Sequence, residues 1–245
     1  MHRNGQGFET AADVKTFQRL FKEIEQHLTQ STPNTQAKTV AHNTRKQLLR
    51  LAQKISAECK PLLGKLSKNE GRPLTIDLCR GCAIKFFRTP LGAGDDYSRY
   101  GIEGMRTLYF TENENTVIRE RKESGLQKSQ PHYHIWAEIR LQNVLDLTDP
   151  KTLSNLGLRD AQEVLYLEWQ ALQDVCEVTP FTQSLGSKAL DLKYEGILFE
   201  SARDRESSNL VIFPDNLQRK SSIQVYDPTH QYPSIGICSR DTVMT

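Results

Sequence analysis

Three residues suited to joint polar chemistry lie close together in the chain. Arg99, Tyr109 and Glu120 fall within "YSRYGIEGMRTLYFTENENTVIRE", residues 97–120. A guanidinium is a planar fork of donors that matches phosphate or carboxylate oxygens. A phenol offers a ring face and a hydroxyl. A carboxylate beside a centre of developing positive charge stabilises it. The same residues also fit a surface arginine, a half-buried tyrosine and a solvated glutamate within the charged run "RERKE". The elements that carry them decide between these readings.

Thr107–Phe110 reads as a short strand that carries Tyr109. "TENE" follows as a capping box, with Thr111 at the cap and Glu114 reaching back to it. A helix over about Glu112–Lys122 results, with Val117 and Ile118 as its apolar residues. Glu120 lies one turn beyond Val117, on the same side of that helix. Upstream, "PLGAGDDYSRYG" is rich in Gly and Asp and reads as a loop, with Arg99 near its end. A loop arginine, a strand tyrosine and a helix carboxylate can therefore converge on one cleft.

The remaining chain supplies the frame. "TAADVKTFQRLFKEIEQHL" places Val14, Phe17, Phe21, Ile24 and Leu28 on one helical stripe. "QSTPNT" breaks it, and a second helix over about Gln36–Glu58 carries Val40, Ala41, Leu48, Ala52 and Ile55, predicting a helical hairpin. Its basic residues Arg45, Lys46, Arg50, Lys54 and Lys60 form a solvated face or a partner- or phosphate-binding surface. "LLGKLSKNEGRPL" reads as a linker, giving a helical extension and linker over residues 1–72 and a second domain over 73–245. In that domain strands are expected at Ala83–Phe87, Thr107–Phe110, Tyr133–Ile139, Val144–Leu147, Gly196–Phe199, Asn209–Phe213 and Ser222–Tyr226. Further helices are expected at about Leu158–Leu172 and Thr182–Leu190. Strands with interspersed helices define an α+β or mixed class.

Composition narrows the function classes. The 245 residues are 37% hydrophobic and 25% charged, a soluble globular composition. No apolar run is long enough to span a bilayer, so no membrane role is expected, and "MHRNGQGFETAADVK" has no apolar signal region. A net charge of +2 is too weak to argue for nucleic-acid binding. An odd count of 5 cysteines fits a reducing compartment.

Other motifs are weaker. "CRGC" gives Cys79 and Cys82 the spacing of half a zinc site, with no second half in the chain, so no metal is expected. His132 and His134 of "HYH" share one strand face and read as solvent-facing, with Tyr133 and Ile135 inward. "TLSNLGL" is a short helical or turn segment started by Asp149-Pro150, and Arg219 and Lys220 form a small basic loop patch. Neither a dinucleotide-binding glycine fingerprint nor a P-loop is present.

Three ordered segments carry a resemblance. "FFRTP…YSRYG…LYFTENENTVIRE", "NVLDLTDPKTLSNLGL" and "YEGILFESARDRESSNLVIFPDNL" resemble, in order and spacing, the RES domain, from about Ala83 to Leu217. The family is named for Arg, Glu and Ser, and many members are toxins of bacterial toxin–antitoxin pairs. Its arginine matches Arg99, its tyrosine Tyr109, its glutamate Glu120 and its serine Ser201; Arg88 matches an arginine often found near the domain start. The sequence departs from the pattern in having "YSRYGIEG" where many members have a Gly-Gly-Arg-Trp-Asn-like stretch, and in its helical extension.

The resemblance implies an ADP-ribosyltransferase-like mixed sheet core with NAD as substrate. Relatives degrade NAD by hydrolysis or phosphorolysis, and some ADP-ribosylate a protein. Glu120 would stabilise the oxocarbenium-like ribose, Arg99 would hold the pyrophosphate and Tyr109 would face the nicotinamide or bond the ribose or phosphate. Ser201 would bond the ribose or Glu120. A neutralising antitoxin or immunity protein is the implied partner. The implied site of action is the cytoplasm, with delivery into another cell left open. The reading from another class is a non-catalytic RES-like module whose basic helices bind an acidic partner.

Overall fold

The computed structural model describes residues 6–28, 35–123, 131–159, 162–202, 204–227 and 237–238, with the side chains of 6–11, 24–28, 35–41, 119–123 and 237–238 outside the description. By their contacts the residues form two compact units, 1–66 with 153–185 and 67–152 with 186–245. The first is discontinuous in sequence, where sequence reading draws one boundary at residue 72.

In the first unit, helices α1 (Gln6–Leu28) and α2 (Thr35–Cys59) supply the expected hairpin. Val14, Phe17 and Leu20 of α1 are buried, as are Leu48, Ala52, Ile55 and Cys59 of α2. Lys54 Nζ pairs with Asp13 Oδ2 at 2.7 Å. Arg45, Lys46 and Arg50 are exposed. The helix expected at Leu158–Leu172 is absent: a 3-10 turn at Gln162–Tyr166 and a π turn at Ala171–Val175 take its place. Val164, Leu165, Tyr166 and Leu167 are consecutive and all buried, a run without the one-sided spacing of a surface helix.

The second unit is built on a sheet. Its strands are β1 (Gly71–Ala83), β2 (Leu108–Thr111), β3 (His132–Asp146), β4 (Gly196–Glu200), β5 (Ser208–Ile212), β6 (Ser222–Val225) and β7 (Ile237–Cys238). The strand order is β1-β2-β5-β4-β3-β6-β7, and β1 also pairs with β3, so β1, β2, β5, β4 and β3 close a ring. All neighbours are antiparallel except β3 and β4. Helices α3 (Glu114–Glu123), α4 (Pro150–Leu156) and α5 (Phe181–Asp191) lie between strands in the chain. The α+β class with a mixed sheet core and N-terminal helices is therefore observed.

Period-2 alternation fixes the core. Leu78, Ile135, Ala137, Ile139, Leu108, Phe110, Leu210, Ile212 and Leu198 line one face of their strands and form a single apolar cluster. The largest difference from expectation is β1. It starts inside the segment read as a linker, and the strand expected at Ala83–Phe87 is instead its last residue followed by a 3-10 turn at Ile84–Phe86. Gly71 and Pro73 look like turn formers, yet the β1–β3 register shifts between Arg72 and Leu74, and a bulge tolerates proline there. Beyond Ala83, which pairs with His132 at the start of β3, Ile84, Phe86 and Phe87 are exposed. The two strands expected at Tyr133–Ile139 and Val144–Leu147 are one, β3. Its polar middle is held by buried Glu195, whose carboxylate accepts the N–H groups of Gln142 at 2.5 Å, Asn143 at 2.8 Å and Gln218 at 2.8 Å. The segment after β3 follows expectation: Asp149 caps α4, accepting from Lys151 N at 3.1 Å and Thr152 Oγ1 at 3.0 Å. Those bonds, led by the Lys151 N–H, hold the Asp149 carboxyl below its ordinary range.

Candidate functional site

Arg99 sits in a loop closed at its base. Gly94 and Thr107 exchange both backbone bonds, at 3.0 and 2.8 Å, and Ser98 N bonds Gly101 O at 3.0 Å. Arg99 thus lies inside the tight Ser98–Gly101 turn, half-buried. The residues on either side of it are tied to the same atom. Tyr109 Oη accepts Tyr100 N–H at 3.0 Å and lies 3.0 Å from Ser98 Oγ. Tyr100 is fully buried, its ring 4.5 Å from that of Phe199 on β4. Helix α5 approaches the turn so closely that a Cβ on Gly186 would stand 1.9 Å from Tyr100 O. The phenol of Tyr109 therefore holds the Arg99 turn, a use the sequence did not reveal.

Tyr109 faces away from the Leu108–Phe110 core side of β2. Opposite it across the ladder stand Val211 of β5 and then Ile197 of β4. The next row on that face is Thr111, Asn209 and Phe199. Ser201, one residue past the end of β4, continues the row; it is fully buried, and its N–H bonds Ser207 O at 2.8 Å. Cys79, paired with Thr111 and with Trp136 of β3, extends the same face. Burial first, then Glu114, pushes its thiol up to about 12. Cys79 is therefore a neutral packing residue and not a ready thiolate.

The base of α3 departs from the expected capping box. Asn113 is the cap, its Oδ1 accepting Thr116 N–H at 2.9 Å. Glu112 Oε2 accepts Ser208 N–H at 2.8 Å. Glu114 does not turn back to Thr111: its Oε1 accepts Trp136 Nε1–H at 2.9 Å, and its Oε2 lies 3.8 Å from His134 Nδ1. His134 is consequently not a solvent-facing residue, as alternation alone suggests, but stands against Glu114. The missed residues here are Asn113, Thr116, Asp204 and Ser207, which bond one another where α3 meets the turn after β4. "NENT", an asparagine followed by threonine at helical spacing, is the signal that could have found the cap.

Position 120 lies on α3, one turn beyond the buried Thr116 and Val117; the side chain of Glu120 lies outside the described residues. The structure thus joins Arg99 to Tyr109 through the loop, and Ser201 to the base of the Glu120 helix through Ser207. Arg88 is exposed on the turn after β1, and no hydrogen bond among the described residues joins it to the other four. Arg219 and Lys220 are exposed on their loop. Among the described residues no group of three or more His, Cys, Asp or Glu side chains is placed to hold a metal. No helix among them is long and apolar enough to cross a membrane.

The fold is an α+β domain whose β2–β5–β4 ladder carries Tyr109 near one end and leads to Ser201 and α3 at the other. The RES domain family model matches residues 79–234, more than half of the chain, and the chain belongs to that family. No curated protein matches it. Among solved structures it is similar to a chain of the M. tuberculosis MbcT–MbcA toxin–antitoxin complex, at 16% identity over 68% of this chain and 89% of that one, with a TM-score of 0.45.

Proposed function

We propose that this chain is an NAD-consuming toxin or effector that breaks the nicotinamide–ribose bond by hydrolysis or phosphorolysis and depletes NAD in its target cell. Nicotinamide in NAD is already cationic, so it departs as a neutral base with the bonding electron pair and needs no general acid. The ribose carbon becomes electron-poor, and Glu120 stabilises it. Arg99 pairs with the pyrophosphate, and Arg88 is a second arginine for it. Ser201 bonds the ribose or Glu120. Tyr109 presents its ring to the nicotinamide, while its hydroxyl, held by Ser98 and Tyr100, keeps the Arg99 turn in place.

Membership of the RES family supports NAD as the substrate. The observation that carries the reading is the pair of joints just described: Tyr109 to the Arg99 turn, and Ser207 to both Ser201 and the α3 base. Residues far apart in sequence are thereby fixed along one strand ladder. Water as acceptor gives ADP-ribose and a proton; phosphate gives the corresponding ribosyl phosphate; a protein side chain would make the chain a mono-ADP-ribosyltransferase. We assign its action to the cytoplasm, where NAD is abundant, and its restraint to an antitoxin or immunity protein.

The test is incubation of the purified chain with NAD and chromatography of the products, with and without phosphate. Nicotinamide release with ADP-ribose, or with its phosphate ester, supports the reading and names the acceptor. Intact NAD in both arms overturns it.

A further inference from the structure

We propose that Thr116 is a positioning residue for this reaction: with Asn113, Ser207 and Asp204, it sets the helix that carries Glu120 against the turn that begins at Ser201. The proposal rests on the NAD-cleaving reading. Capping α3 needs only Asn113 Oδ1 and the Thr116 N–H. The Thr116 hydroxyl does more. It is fully buried and lies 3.1 Å from Asp204 Oδ2 and 3.2 Å from Ser207 Oγ, partners 88 and 91 residues away in the chain.

Donors and acceptors order the cluster. Asn113 Nδ2–H donates to Ser207 Oγ at 2.5 Å. Ser207 Oγ–H donates to Asp204 Oδ2 at 3.3 Å, and the Thr116 hydroxyl has that same oxygen and Asn113 Oδ1 as acceptors, each at 3.1 Å. The Asp204 carboxylate thus gathers hydroxyls from the helix and from its own turn, and hydrogen bonds to a charged acceptor are the stronger kind. Ser207 serves both elements: its side chain holds the first residues of α3, and its carbonyl holds Ser201 N–H at 2.8 Å. Position 120 is one helical turn beyond Thr116, about 6 Å along the axis, so a tilt at the base carries directly to Glu120.

Thr116→Val keeps the shape and removes the hydroxyl. The expected result is a protein folded at the assay temperature whose kcat for nicotinamide release falls at least about tenfold, with KM for NAD within about twofold of wild type. Thr116→Ser, which restores the hydroxyl, should return kcat to within about threefold of wild type. Thermal melts of each variant check that the loss is not unfolding. A purely structural role lowers the melting temperature and leaves kcat per folded molecule unchanged. Should Thr116→Val fail to fold, Ser207→Ala, which breaks the same chain of bonds in the turn, decides by the same criteria. A folded variant with wild-type kcat overturns the positioning role and leaves the NAD reading standing. A wild-type protein that releases no nicotinamide overturns both.

Discussion

The phenol oxygen of Tyr109 accepts the backbone N–H of Tyr100 at 3.0 Å, and Arg99 is the residue before Tyr100. A strand side chain thus governs the geometry of a loop arginine. Because Ser98 Oγ stands 3.0 Å from the same oxygen, both flanks of Arg99 are held at one point. Tyr109→Phe keeps the ring and removes the joint. Its expected cost is about 1–2 kcal/mol in urea unfolding, the worth of one or two ordinary hydrogen bonds. The larger expected effect is a rise in KM for NAD of about tenfold, as Arg99 loses its fixed position. An unchanged KM would show that the turn holds itself.

Gly186 is where α5 meets the carbonyl of Tyr100. With a Cβ placed 1.9 Å from that oxygen, Gly186→Ala forces either the helix or the Arg99 turn to move. A destabilisation of about 1–3 kcal/mol is expected, as for other overpacked contacts, with a parallel loss of NAD cleavage. Thermal melts and steady-state rates on the same samples check it; an alanine variant with wild-type stability and rate would contradict the close approach.

Ser201 separates structure from chemistry. Its N–H bond to Ser207 O survives Ser201→Ala, so the turn after β4 keeps that backbone pairing and the variant should fold. If the hydroxyl bonds the ribose or Glu120, kcat/KM should fall about tenfold, the worth of one hydrogen bond made in the transition state. A variant that loses stability and keeps its rate would mark Ser201 as a packing residue.

Alkaline pH should weaken the fold. Burial pushes Cys59 and Cys79 up to about 12 from 9.0, and Tyr194 up to about 12 from 10.0. The folded chain keeps these groups neutral where the unfolded chain ionises them. Their stabilisation is whole below pH 9.0 and is lost as pH rises toward about 12. Urea midpoints measured at about pH 8 and about pH 10.5 should fall, and Cys59→Ala with Cys79→Ala should flatten the fall. A midpoint independent of pH would mean that these thiols reach solvent.

Much of this was legible in the sequence. The turn at Arg99, the strand at Tyr109 and the helix bearing Glu120 each have local signals: Gly and Asp clustering, a short apolar run, and a polar capping segment before Val117 and Ile118, although the residue that caps is Asn113 and not Thr111. Ser201 was found only through the family resemblance. What escaped was non-local. Gly71 and Pro73 hid the start of β1, because only pairing with β3 creates the bulge that tolerates them. The consecutive apolar run Val164–Leu167 has no one-sided helical spacing, and a 3-10 turn at Gln162–Tyr166 forms where a helix is expected. The Thr116–Asp204–Ser207 cluster joins segments that no spacing rule relates, and the Tyr109 hydroxyl was assigned to a ligand because its bond to Tyr100 depends on how the loop returns.

Glu120 carries the central claim, and Glu120→Gln tests it with almost no change in shape. Nicotinamide release from NAD should fall about a hundred- to a thousand-fold in kcat, with the melting temperature nearly unchanged, as when a preorganised charge is removed from a reacting centre. A folded Gln variant that cleaves NAD at the wild-type rate would contradict the assignment of this carboxylate to the reaction.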